Sequence, residues 1–342
     1  MTSEHSRTFD ILAFGEALID LISKHTVSSL ADADEFRRFI GGEVTNVTLN
    51  VARLGGRAVI VACVGDDGFG GYIRQQLDLT GVNTDYLGVT SQAPTTVAII
   101  ARQTATPDFI IYRGADAHIL PERELLETIQ ASRVVHTSAF ALSREPARST
   151  ILQSLEAAQQ SGCLVSLDPN YHPYIWPDVA NFQNVLAEAY QWVHITKPSL
   201  DDCTRLFGPG LSPVSYAERF LNWGPEIVAL TMGAQGVLLA TADGSLSHIK
   251  PGNATVADVT GAGDAFWAGL LIALLDGYPP HEAACFGQIV AEAKIGTVGP
   301  LQYMPNRDNL YQQLEMIKQE SIAQPPQNWG QLSLFRRTAT RD

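Results

Sequence analysis

Charge is scarce in this chain, and basic charge scarcer still. Of 342 residues only 17% are charged, and 23 Lys and Arg stand against 36 Asp and Glu, a formal net charge of −13. That balance excludes a nucleic-acid surface, which needs clustered Lys and Arg to neutralise phosphates. Long apolar runs are missing too. The longest, "WAGLLIALL", falls far short of the roughly 20 residues that a membrane span needs, and the opening "MTSEHSRTF" has no signal-peptide core. The four cysteines, at 63, 163, 203 and 285, lack metal-ligand spacing and lie in apolar or helical contexts. They read as reduced structural thiols of a cytoplasmic protein.

Several catalytic signatures are absent as well. Without GxxxxGK(S/T) the chain is no P-loop kinase, and without HExxH or GxSxG it is neither a zincin nor an α/β-hydrolase. "GDDGFGG" (Gly65–Gly71) lacks dinucleotide-fold spacing and reads as a turn. The eight histidines show no ligand spacing; His136 and His194 fall in strand-like runs as packing residues.

What is present is an α/β rhythm in a chain that is 45% hydrophobic. "FDILAF", "AVIVACVG", "RVVHTSA", "LVSLDPN", "WVHITKPS" and "EIVALTMG" are short apolar strands. Helices lie between them: one opened by Gly41-Gly42, with Val47, Val51 and Leu54 at helical spacing, then "ARSTILQSLEAAQQSG", "SLDDCTRLF" and "SYAERFLNW". The alternation predicts a parallel sheet covered on both faces, with ligands beyond the carboxyl ends of its strands. Residues 94–113 break the rhythm and read as a hairpin turning around Thr106-Pro107-Asp108. No internal repeat occurs, and the polar, proline-marked end reads as an extension.

"DVTGAGDAF" (Asp258–Phe266) lays Gly261, Ala262 and Gly263 before Asp264 at a helix start. Small residues there let an anion approach bare backbone amides, and a carboxylate held ionised beside them can take a proton: a phosphoryl-transfer arrangement. A tight turn capped by Asp264 fits the same letters.

"GGEVTNVTLNVARLGG" (Gly41–Gly56) and "DVTGAGDAFWAGLL" together resemble the two signatures of the ribokinase, or PfkB, family of carbohydrate kinases. "GEALIDLI", "VGDDGFG", "YRGADAHIL", "DPNYHPYIW" and "LTMGAQGVLL" stand between them in family order and look most like fructokinases. The resemblance covers about residues 9–318. It implies a ribokinase-like three-layer α/β/α fold with a mostly parallel central sheet and a small β lid from segments near 17–40 and 94–113. The kinase domain would run 9–322, after a tail at 1–8 and before an extension at 323–342.

The same resemblance implies roles. Asp264 would be the general base, and Gly261, Ala262 and Gly263 the anion hole. Asp20, Gly41, Gly42 and Asn46 would hold the sugar, with Tyr112 and Arg113 from the lid and His172 from "DPNYH". Lys197, Thr231, Gly233, Gly236, Gln288 and Glu292 would line the ATP site. Asp258 and Thr260 would bind a monovalent cation, usually potassium, and Asp202 magnesium through water. A homodimer through the lid is implied as well.

Three departures bear on the substrate. "KPSLDD" puts Ser199 and Asp202 where the family has Asn-x-x-Glu. His172 stands where Arg is common, and Glu43 and Thr45 replace small apolar residues, placing an extra carboxylate beside the sugar. These favour a small neutral sugar, fructose first. Ribokinase-like, nucleoside and 2-keto-3-deoxygluconate kinases are the alternatives, and a binding protein without catalysis is the alternative of another class.

Overall fold

The computed structural model describes residues 7–102, 108–120, 124–252, 254–257, 259–296 and 305–318. The expectations for Asp258, for the turn at 106–107, for residues 1–6 and for the extension at 323–342 lie outside them.

The strands are β1 (Phe9–Phe14), β2 (Leu18–Thr26), β3 (Phe36–Gly41), β4 (Ala58–Gly65), β5 (Asn83–Thr90), β6 (Val97–Arg102), β7 (Phe109–Tyr112), β8 (Ser132–Ser138), β9 (Leu164–Asp168), β10 (Ile195–Thr196), β11 (Ile227–Thr231), β12 (Val237–Thr241) and β13 (Leu246–Ile249). The helices are α1 (Glu43–Arg53), α2 (Gly68–Thr80), α3 (Leu125–Gln130), α4 (Ala147–Gln160), α5 (Val179–Ala189), α6 (Leu200–Phe207), α7 (Pro213–Trp223), α8 (Ala262–Leu275), α9 (Pro280–Ile295) and α10 (Arg307–Lys318).

The large sheet runs β13-β12-β11-β10-β9-β8-β1-β4-β5, parallel from β11 to β5, with β12 and β13 antiparallel at one edge. Strand periodicity divides its core in two. Ile11 and Ala13 of β1, with Ile60, Ala62 and Val64 of β4, pack under α1, α2, α8, α9 and α10. Leu12, Phe14, Val59, Val61 and Cys63 face α3 to α7 on the other side. Strands buried on both faces have no polar face to show, which is why they read as continuous apolar runs. "WAGLLIALL" is the carboxyl-terminal part of α8 and is buried from Trp267 to Ala273. Among the described residues no helix is long and apolar enough to cross a membrane.

A second sheet, β3-β2-β6-β7, comes from the two chain segments set apart by sequence. β6 and β7 form the expected antiparallel hairpin, β2 pairs antiparallel with β3, and β2 and β6 are parallel. This sheet stands over the carboxyl ends of the large one: β2 follows β1 after a few residues, and β3 runs straight into α1. β5, β12, β13 and α5 were not anticipated from the sequence; β5 and β13 have mixed polarity because they are the two edges of the sheet, and β12 is a short apolar run.

Candidate active site

α8 begins where "GAGD" predicts. Gly261 is its N-cap in the left-handed region (φ 74°), and Ala262, Gly263 and Asp264 form the first turn. Ala265 N–H makes the first helical bond, to the Gly261 carbonyl at 3.0 Å. Ala262 N–H donates to Val259 O at 3.1 Å. The amides of Gly263 and Asp264 have no carbonyl behind them within the helix, and the helix dipole adds to their pull on an anion.

The start of α1 lies opposite. Gly42 precedes it at φ 100°, and a Cβ there would sit 2.5 Å from the Glu16 carbonyl, so only glycine makes this turn. The α1 residue Asn46 then reaches across to Asp264, Nδ2 to Oδ2 at 2.8 Å. Asp20 of β2 packs over Gly41, whose missing side chain leaves room for its carboxylate. Asp20, Asn46, Thr260 and Gly261 line one cavity with Asn50 and Lys294, closed down to about 30 Å³.

The two facing carboxylates are held apart in pKa. Burial and the Asp264 charge raise Asp20 to about 7. Burial raises Asp264 to about 6, with Lys197, the Asn46 hydrogen bond and Lys294 opposing it. Both carboxylates therefore titrate near neutrality as a coupled pair, with Asp264, the one beside Lys197, the more readily ionised.

Beneath them lies a buried polar layer. Lys197, at the end of β10, pairs with Asp168, at the end of β9, at 2.6 Å. Burial alone would depress this ammonium, but Asp168, Glu43 and Asp264 together hold it above the ordinary lysine value. A Cβ on Gly263 would lie 3.4 Å from its Nζ, so Lys197 stands under the first turn of α8. Thr231 N–H bonds to Pro198 O at 3.0 Å, which sets the Gly233–Gly236 turn beside this lysine's loop. Gln288 and Glu292 bond each other at 2.7 Å, and Glu292 also takes the Gly252 amide at 2.6 Å.

Several sequence expectations need correcting. Glu43 does not face the cavity: it is buried against His136, Nε2 to carboxylate at 3.2 Å. Burial pushes Glu43 up and His136 down to about 3, so the contact is a neutral hydrogen bond and not an ion pair. Thr45 is turned inward as well, onto the Glu16 carbonyl at 2.7 Å. The proposed repulsion of an acidic sugar by Glu43 therefore falls.

Asp202 closes a capping box with Ser199, accepting its N–H at 3.0 Å and its hydroxyl at 2.6 Å. One oxygen of its carboxylate, Oδ2, thereby helps to start α6. Arg113 is not brought to Asp20. It pairs with buried Asp116, donates to Ser143 Oγ at 2.8 Å and lies 3.9 Å over the Phe140 ring. Tyr112 is exposed and lines a separate cavity of about 700 Å³ with Arg38, Asp67 and Phe69. His172 is packed against Phe109 of β7 at 4.6 Å and depressed to about 4 by burial and Arg205, so it carries no charge at neutral pH.

Sequence reasoning passed over Asn50, Arg53 and Lys294, which line the Asp20 cavity, and Asp168, which holds Lys197. Asn50 and Arg53 follow Asn46 at helical spacing, a signal that was readable.

The Asp20 cavity, the Asp264 carboxylate on the first turn of α8 and the lysine beneath it are the candidate site. The profile of the pfkB family carbohydrate kinases spans residues 8–307, and the chain belongs to that family. It is a phosphotransferase with a sugar acceptor. It is 30% identical to an ATP-dependent 6-phosphofructokinase of Thermoanaerobacterium thermosaccharolyticum, over 91% of this chain and 96% of the relative. The fructokinase structure of Halothermothrix orenii is 32% identical, with a TM-score of 0.71, covering 85% of this chain and 99% of that one. An uncharacterised sugar kinase of Pyrococcus horikoshii, solved with ATP, is 26% identical with a TM-score of 0.76, covering 88% and 97%.

Proposed function

We propose that the chain transfers the γ-phosphoryl group of MgATP to a primary hydroxyl of a small neutral sugar, fructose first. The observation that carries this is Asp264, held by Asn46 at 2.8 Å at the edge of the Asp20 cavity. Asp264 takes the hydroxyl proton as the oxygen attacks. The first-turn amides of α8, with Lys197 below them, stabilise the charge on the moving group, since phosphoryl transfer rests on positioning and electrostatics. Asp20 and Asn46 orient the sugar. The nucleotide lies along the Thr231–Gly236 turn toward Gln288 and Glu292. Magnesium arrives on the nucleotide, held by phosphate and water. The small sheet is the lid.

A second reading, a phosphorylated hexose as acceptor, is favoured by a separate observation. Arg38 lines the larger cavity beneath the small sheet, and a relative of matching length is a 6-phosphofructokinase. The test for both is ATP consumption across fructose, fructose 6-phosphate, ribose, nucleosides and 2-keto-3-deoxygluconate, with an Asp264→Asn control. Turnover confined to fructose supports the first reading and turnover confined to fructose 6-phosphate the second. ATP binding without turnover on any acceptor supports a non-catalytic binder.

Asp20→Asn is expected to raise the sugar KM about tenfold, with a smaller change in kcat, because a buried hydrogen-bond partner left unsatisfied costs about 1–3 kcal/mol. Initial-rate kinetics at saturating ATP check it; an unchanged KM removes Asp20 from the sugar site.

We also propose a cytoplasmic homodimer through the lid. Phe36, Ile110 and Tyr112 on its strands are exposed, and the four cysteines are free thiols. Solution scattering should give twice the chain mass; a monomeric profile overturns the dimer.

A further inference from the structure

Glu16 lies in the short crossing from β1 to β2, where the chain leaves the large sheet for the small one, and it is buried. Its two carboxylate oxygens are divided between neighbours. Oε1 accepts the Val44 N–H in the first turn of α1 at 3.3 Å, and Oε2 accepts the Ser138 hydroxyl at the end of β8 at 2.9 Å. The N-cap of α1 is Gly42, which has no side chain with which to cap the helix. Glu16 therefore supplies from another segment the acceptor that a Ser or Asp at the N-cap would supply. Its carbonyl is engaged with the same turn through the Thr45 hydroxyl at 2.7 Å. The two segments also close on each other directly: a Cβ on Gly15 would stand 2.5 Å from Cγ2 of Val44.

Each of the joined segments carries one wall of the Asp20 cavity. Asp20 follows Glu16 by four residues on β2, and Asn46 follows Val44 by two on α1. β2 belongs to the small sheet and α1 packs on the large one, so the distance between Asp20 and Asn46 depends on how the two sheets are joined. We propose that Glu16 is the positioning residue that sets Asp20 against Asn46, and through them the acceptor hydroxyl against Asp264. The inference rests on the reading of Asp20 and Asn46 as acceptor contacts. Two contacts on separate bodies align a hydroxyl only while their spacing is fixed, and a misplacement of about 1 Å can cost about 10²-fold in rate. Burial raises the Glu16 carboxyl to about 7, against the hydrogen bonds from Ser138 and Val44, so a neutral glutamine is a fair stand-in for it.

The test compares the full wild-type chain with Glu16→Ala, Glu16→Gln and Ser138→Ala by initial-rate kinetics on the acceptor that the sugar panel identifies. Glu16→Ala is expected to lose about 10²-fold in kcat/KM for that acceptor, with the KM for ATP within about twofold of wild type. Glu16→Gln can still accept the Val44 N–H and should stay within about threefold of wild type. Ser138→Ala leaves the Val44 bond in place and should fall between the two. A side chain that merely supports the core would lower the melting temperature and leave acceptor kinetics well below it unchanged. Wild-type acceptor kinetics in Glu16→Ala overturn the proposal, as does a Glu16→Gln variant no better than Glu16→Ala.

A second readout needs no activity. Native-state amide hydrogen exchange in Glu16→Ala should quicken together at the start of β2 and in the first turn of α1, because one side chain joins them. Quickening confined to α1 makes Glu16 a helix cap only and overturns the proposal. If Glu16→Ala does not fold, Ser138→Ala decides: wild-type acceptor kinetics and wild-type exchange in that variant overturn the proposal. Absence of turnover on every acceptor by the wild type strikes the kinase reading, and the exchange comparison still judges whether Glu16 joins the two segments.

Discussion

Asp264→Asn is expected to lower kcat by about 10³-fold, within the 10²–10⁴ range of a positioned general base, while leaving the fold and both KM values nearly unchanged. Asparagine keeps the size of the side chain and can still meet Asn46 across the cavity, but it cannot take a proton. The wild type should show its own mark of the same group. With Asp264 at about 6, the base is ionised above that pH and protonated below it, so kcat falls as pH drops through about 6. In Asp264→Asn the residual rate should lose that acid limb. A variant with more than a tenth of wild-type kcat would remove Asp264 from the proton transfer.

Lys197→Met is expected to destabilise the chain by about 3–5 kcal/mol, the range for breaking a buried ion pair from one side. Its ammonium is buried at 2.6 Å from Asp168 and is also attracted to Asp264. Removing it strands Asp168 in the interior. The lysine's folded pKa lies above its unfolded value, so its contribution is complete at neutral pH and lost only at strongly alkaline pH. The carboxylate side gives the pH dependence that can be measured. Asp264 is ionised above about 6, so the penalty should be larger at pH 8 than at pH 5. The acid limb of kcat should also move upward, because Lys197 is the first of the groups that hold Asp264 down. Denaturant unfolding at the two pH values and a pH–rate profile check these; Lys197→Arg should recover part of both.

How much of this was legible beforehand follows from how far apart the partners stand in the chain. The start of α8 was legible because glycine, alanine, glycine and a carboxylate are consecutive letters with a local geometric meaning. The same holds for the glycine pair before α1 and for the hairpin of β6 and β7. The orientation of Glu43 was not, since it depends on His136, 93 positions away and on another strand. Lys294 was passed over for the same reason: a lysine at the end of a helix takes its meaning only from the loop packed against it. Arg113 read as a sugar contact because nothing in "YRGADA" says that Asp116 would claim its guanidinium. For Asp202, Ser199 three residues before it is itself the signature of a helix cap, which the local letters already carry.

The division of the cavity between two sheets has a consequence for what the site refuses. Asp20 rides on the small sheet, while Asp264 belongs to a helix of the large one. On the proposed reading a sugar would touch both at once and so bring its hydroxyl to Asp264, whereas a water molecule would touch one side at a time. The site would then discriminate against water as an acceptor by size, and ATP is expected to survive in its presence until a sugar arrives.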